Sequence, residues 1–161
     1  MKSDAIFSEC RAYRYSLIRR WADGPIQTWI MLNPSTADEV VNDPTVERCQ
    51  RRATSHGFGA LEVVNIFALR STDPKVLYGH DDPVGPLNDN YILDAAKRSN
   101  QIVCGWGAHG ALHNRGFEVA KILKEFDINA LATTKGGQPR HPLYISYDIT
   151  PKAWINDNLF L

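Results

Sequence analysis

The stretch Leu61-Glu62-Val63-Val64-Asn65-Ile66-Phe67-Ala68-Leu69 is an apolar run broken by one acid and one amide. It is the right length for a strand and reads as one buried in a sheet, with Asn65 as its neutral polar interruption. Working outward, Asp43-Pro44-Thr45 is a strong helix start. Asp43 can cap the first amides, and a proline at the first helical position lacks only an N–H that would go unpaired anyway. The helix is expected to reach His56 and stop at Gly57, with Val46, Cys49 and Ala53 on the apolar face and Glu47, Arg48, Arg51 and Arg52 around the other sides.

Downstream, residues 70–86 form a long loop rich in Asp, Pro and Gly; loops of this length are usually functional or mobile. A helix is expected from Asn88 to Arg98, a short buried strand from Gln101 to Gly105, a helix from Ala111 to Phe126 and a short strand from Asn129 to Thr133. The polar loop Thr134–Pro142 is then followed by an extended apolar segment, Leu143–Ile145. Upstream, residues 12–20 alternate aromatic or aliphatic with polar groups, Ala22-Asp23-Gly24-Pro25 is turn chemistry, and Ile26–Leu32 is apolar again. That sequence predicts an antiparallel hairpin whose second strand ends at Asn33-Pro34-Ser35-Thr36. Strands then alternate with helices. The expected fold is α/β: a three-layer α/β/α sandwich with a mainly parallel central sheet and an N-terminal β-hairpin, in one domain over residues 1–161.

Composition narrows the function classes. The chain has 161 residues, with 18 Lys+Arg balancing 18 Asp+Glu. Zero net charge argues against a protein that coats nucleic acid globally, yet leaves a local basic groove open. Three dispersed cysteines, Cys10, Cys49 and Cys104, cannot supply a closed disulfide set or a four-thiolate cluster, so reduced thiols and a cytoplasmic setting are expected. There is no apolar run long enough for a membrane span, and no membrane partner is expected.

Ligands of open parallel sheets bind beyond the carboxyl ends of the strands. Four such ends carry polar or glycine-rich sequence: Asn33-Pro34-Ser35, Asn65, Trp106-Gly107 and His141-Pro142. Each has a plainer reading as a turn, a satisfied amide or packing; together at one sheet edge they suggest a site. His109 and His113 are four apart, but Gly110 stands where a zinc-helix glutamate would be, so no metal is expected. No phosphate-binding P-loop, nucleophile elbow or cofactor fingerprint is present, and no cofactor is expected.

Tyr13-Arg14-Tyr15, Met31-Leu32-Asn33-Pro34-Ser35-Thr36-Ala37-Asp38, Asn42-Asp43-Pro44-Thr45, Asn65-Ile66-Phe67-Ala68-Leu69-Arg70, Gly85-Pro86-Leu87-Asn88-Asp89 and His141-Pro142-Leu143-Tyr144 resemble the bacterial and phage family catalogued as domain of unknown function 1643. The order of motifs is more distantly similar to the uracil-DNA glycosylase superfamily. That resemblance implies a DNA glycosylase-like hydrolase acting on a modified or damaged base. It makes Asn33-Pro34 the water-placing motif, Asn65 the base reader and His141 the donor to the departing base. Asp38, or else Asp43, would take the water's proton; Asp43's capping role favours Asp38. Phe67 or Trp106 would stack on the ring, and Leu143 or Tyr144 would fill the vacated stack. Ser35, Lys135, Arg140 and Arg70 would hold the DNA backbone. The final motif here reads His-Pro-Leu rather than the superfamily's His-Pro-Ser. Free modified nucleotides are the alternative ligands, and a catalytically silent interaction module is a third reading.

Overall fold

The computed structural model of this chain describes residues 1–154. Strand β4 (Ala60–Asn65) is buried at every position, as its apolar run requires. It lies inside a mixed sheet together with β1 (Lys2–Phe7), β2 (Arg14–Arg20), β3 (Ile26–Met31), β5 (Gln101–Cys104), β6 (Ile128–Ala130) and β7 (Lys152–Ala153). The order is β1-β2-β4-β3-β5-β6-β7. Strands β4, β3, β5 and β6 run parallel, while β1, β2 and β7 join antiparallel at the two edges.

Four α-helices accompany the sheet among the described residues: α1 (Pro44–Ser55), α2 (Lys75–Gly79), α3 (Asn88–Arg98) and α4 (Arg115–Ile122). Val46 and Cys49 of α1 pack with Leu17, Trp29, Leu61, Val63 and Val103 in one apolar cluster. A second cluster joins Ile92 and Ala95 of α3 and Val119 and Ala120 of α4 to Ile30, Val64 and Ile102. Neighbouring residues of one strand thus feed different clusters, because successive side chains point to opposite faces. No described helix is long and apolar enough to cross a membrane.

The helix start at Asp43 forms as expected. Its Oδ1 accepts from Val46 N at 2.9 Å, and Pro44 opens the helix. Gly57, just past the C-cap, takes φ +84°, the left-handed turn a glycine permits. Arg52 departs from the expectation of a solvated position: it is 1% exposed. Its guanidinium donates to the carbonyls of Ile145, Ser146 and Ile149, tying the C-terminal loop to α1.

The predicted hairpin between β2 and β3 does not form. Strand β4 inserts between them, antiparallel to β2 and parallel to β3. The turn still reverses the chain, and it closes on Gly59: Trp21 N and Ala22 N donate to Gly59 O, and Gly59 N donates to Pro25 O. A Cβ at Gly59 would lie 2.5 Å from Ala22 O, so this close approach needs glycine. Alternation shows that a strand is half-buried but does not choose its neighbour, and a strand apolar on both faces gains most between two others. The antiparallel partner of β2 on its other side is β1, which the sequence reading passed over.

Two further corrections lie near the C-terminal half. The helix expected over 111–126 is a 3₁₀ segment over Ala108–Asn114 followed by the shorter α4. The break has a cause: the Trp106 indole lies against Gly110 and Gly116, where any Cβ would collide with it. His113 and Asn114 carry positive φ at the junction. Leu143–Ile145 is not an extended strand; it belongs to a turn in which Ile145 N donates to Pro142 O.

Candidate functional site

Parallel pairing brings the ends of β3, β4 and β5 to one edge. Met31 is the register partner of Asn65, and Gly105 N donates to Ile30 O at 2.8 Å. Beyond the strands the two chains stay together, through Ile66 N to Met31 O and Phe67 N to Leu32 O. The loop over 139–144 approaches from the far side, where Gly107 N donates to Pro139 O at 2.7 Å. Gly107 takes φ +75°, and the space a Cβ would occupy is bordered by His141. Between these segments lies a cleft of about 680 Å³, ample for a small organic ligand.

Asn33, Ser35, Asn65, Trp106, His141, Leu143 and Tyr144 all line it. Asn33 Nδ2 donates to the carbonyls of Ser71 (3.0 Å), Pro34 (3.2 Å) and Leu69 (3.3 Å), which pins the loop after β4 to the end of β3. Its Oδ1 has no donor among the described residues. Asn65 is 1% exposed, and its Nδ2 is fully enclosed with no acceptor. An unmet buried amide is costly, and Asn65 carries that cost at the wall of the cleft.

His141 is set up as a neutral donor. Leu143 N donates to its Nδ1 at 3.1 Å, so in the neutral ring the proton sits on Nε2. Burial holds its pKa below the ordinary histidine value, with partial opposition from the negative charge of Asp43. Asp43 also lines the cleft and is 8% exposed. Its Oδ2 accepts from Ala37 N at 3.3 Å while Oδ1 caps α1.

The remaining sequence candidates lie outside the cleft or, like Trp106, have no free face in it. Asp38 is outside the cleft lining; its Oδ1 accepts from Val40 N and Val41 N and shapes a surface turn. Asp43, not Asp38, is therefore the carboxylate in the cleft. Phe67 is fully buried in the core and does not reach the lining. Trp106 touches the cleft, but its Nε1 donates to Gln138 Oε1 at 2.7 Å and its ring packs edge-on against Trp154, so the indole face is not free to stack. Pro34 is buried behind the lining, its carbonyl accepting from Ser71 N. Lys135 and Arg140 are exposed, Arg70 lies over the Phe7 ring, and none of the three lines the cleft.

The sequence reading missed Arg14, Thr45, Thr72 and His109, which also line it. Arg14 was hidden because it alternates with Tyr13 and Tyr15 and so looked like the solvated phase of a strand. Arg14 is in fact 2% exposed. His109 Nδ1 is 2.9 Å from Tyr78 Oη, and no group of three metal-ligating side chains gathers among the described residues.

Fold and cleft together define an α/β protein with a mixed sheet and a cleft, lined by polar and apolar side chains, at the ends of its parallel strands. Within that class the chain belongs to the family described as "Protein of unknown function (DUF1643)", which matches residues 14–143. A comparison with curated proteins finds no match, and a comparison with solved structures finds none.

Proposed function

We propose that the chain is a DNA glycosylase-like hydrolase that cleaves the N-glycosidic bond of a modified or damaged base. The observation carrying this reading is that Asn33, Asn65 and His141, far apart in sequence, line one cleft. The motif order, which resembles that of the uracil-DNA glycosylase superfamily with its three-layer sandwich, supports it. Asn33 Oδ1 holds a water, and Asp43 takes its proton as the oxygen attacks the anomeric carbon. The carbon–nitrogen bond breaks and its electron pair leaves with the base. His141 Nε2–H donates to the base oxygen on which negative charge develops. Asn65 presents its amide oxygen to the base edge as an acceptor. Tyr144, 87% exposed at the cleft mouth, fills the stack that the extruded base leaves.

Duplex oligonucleotides bearing a panel of modified pyrimidines test this directly. The wild-type protein should generate abasic sites. His141→Ala should slow the reaction by about 10²–10³-fold, the usual effect of losing one donor to a developing anion. Asn33→Ala should slow it too. No cleavage and no binding across the panel would overturn the proposal.

A second reading, a site for free nucleotides, draws on one observation. Lys135, Arg140 and Arg70, the cations expected to grip a DNA backbone, lie outside the cleft. A salt titration separates the two, because duplex binding weakens steeply with salt and small-nucleotide binding less so.

A further inference from the structure

Arg14 is 2% exposed, yet its guanidinium makes one hydrogen bond among the described residues, from Nη1 to Ala37 O at 3.0 Å. Its Nε is enclosed without an acceptor. It has no ion-pair partner within 4.0 Å, whereas buried Arg115 pairs with both Asp89 and Glu118. Buried arginines are ordinarily paired, because an uncompensated charge in a low-dielectric interior is expensive. Burial draws the Arg14 pKa down to about 10, opposed by the nearby negative charge of Asp43, so the group remains a cation at neutral pH. Asp43, the carboxylate in the cleft lining, already accepts two backbone amides.

The surroundings match a cation awaiting an anion. Arg14 lines the same cleft as Asn65 and His141. Ser35, Thr45 and Thr72 line it too, and their hydroxyls make no hydrogen bonds among the described residues. Arg14 Nη2 is neither hydrogen-bonded among the described residues nor enclosed, and a guanidinium nitrogen in a cleft that also carries free hydroxyls is suited to an oxygen of a phosphate or carboxylate.

We propose that Arg14 is the anion-binding residue of the cleft, so that the ligand taken there is a nucleoside carrying a buried anionic group. This rests on the cleft being the substrate site, but not on the bond that is cleaved. The anion has two possible sources: the 5′-phosphate of a free nucleotide, or an acidic substituent on a base extruded from DNA.

Calorimetric titration in two arms tests the proposal and separates the sources. One arm compares nucleoside 5′-monophosphates with the matching nucleosides. The other compares oligonucleotides bearing a carboxyl-substituted pyrimidine with the unsubstituted sequence. In one arm the charged form should bind at least about tenfold tighter, as expected for a charge-assisted hydrogen bond. Arg14→Met should abolish that preference and Arg14→Lys should retain part of it, with thermal unfolding verifying that both variants are folded. A preference in the first arm assigns the phosphate, and one in the second assigns the base substituent. Equal binding of charged and neutral ligands by the wild-type protein in both arms would overturn the proposal, as would a preference that survives in folded Arg14→Met. Should the oligonucleotide panel show no cleavage while the charged preference persists, the hydrolase reading fails and the anion site stands.

Discussion

Arg14 and Arg19 lie on the same strand, and both are almost wholly buried, at 2% and 1% exposure. Their surroundings differ. Arg19 Nε donates to Asn42 Oδ1 at 2.9 Å, and its terminal nitrogens reach the carbonyls of Asp38 (2.6 Å), Ile18, Glu39, Asp4 and Val41. Every nitrogen of that side chain is answered from within the chain, and the loop over 38–42 is shaped around it. Arg14 has a single carbonyl and an unpaired Nε. Asn65 repeats the contrast beside it, and Glu62, three residues earlier, is fully paired with Ser16 and Arg98. Enclosure without a partner is not confined to the cleft, since Thr28 Oγ1, Arg52 Nε and Asn88 Oδ1 share it; what sets Arg14 and Asn65 apart is that they also line the cleft.

That contrast can be broken by measurement. The largest effect should come from Arg19→Met. It strips several buried carbonyls of their donor and should lower stability by about 3 kcal/mol, read from urea midpoints. Arg14→Met removes a poorly compensated charge and should change stability by under about 1 kcal/mol, since an apolar replacement of such a group is often neutral or stabilising. Equal losses at the two positions would mean that Arg14 is a brace like Arg19. A comparably small effect on stability is expected for Asn65→Leu. Exchanging an unmet buried amide for an apolar group of similar size should leave stability within about 1 kcal/mol while base recognition is lost; a large destabilisation would show that Asn65 is satisfied in the folded protein.

His141 is an intermediate case, with Nδ1 answered by Leu143 N and Nε2 open. Burial places its folded pKa below the ordinary value of 6.5. As pH falls, the unfolded chain therefore takes up the proton first. The contribution of this residue to stability is complete above the ordinary value and is lost as pH falls through the folded one. Urea denaturation over that window should show a shallow downward slope toward acid, absent in His141→Gln. An unchanged slope in the variant would place the titration elsewhere.

Much of this molecule was legible in the chain because local rules decide it. The run from Leu61, the cap at Asp43 and the proline after it, and the helix ending at Arg98 depend on side-chain periodicity and on which residues can satisfy a helix end. Asn33 and Asn65 were visible because polar residues at strand ends are unusual, and parallel topology obliges those ends to meet; His141, expected at such an end, arrives instead on a loop well beyond the end of β6 at Ala130. The neighbour of β2, the break before α4 and the burial of Arg14 and Arg52 were not legible. Each depends on what arrives from far along the chain: β4 between β2 and β3, the Trp106 indole against Gly110 and Gly116, the carbonyls of Ile145 and Ile149 at Arg52.

The sequence by itself determined that this is an α/β chain, that α1 and α3 start and stop where they do, and that the ends of β3 and β4 carry polar chemistry. The tertiary structure alone decided the order of strands, the choice of Asp43 over Asp38 as the acid in the cleft, and the burial of Arg14 with a single hydrogen bond. The reason is physical. Propensity and periodicity are properties of a few neighbouring residues, whereas hydrogen-bond completion of a buried group depends on every segment that packs against it.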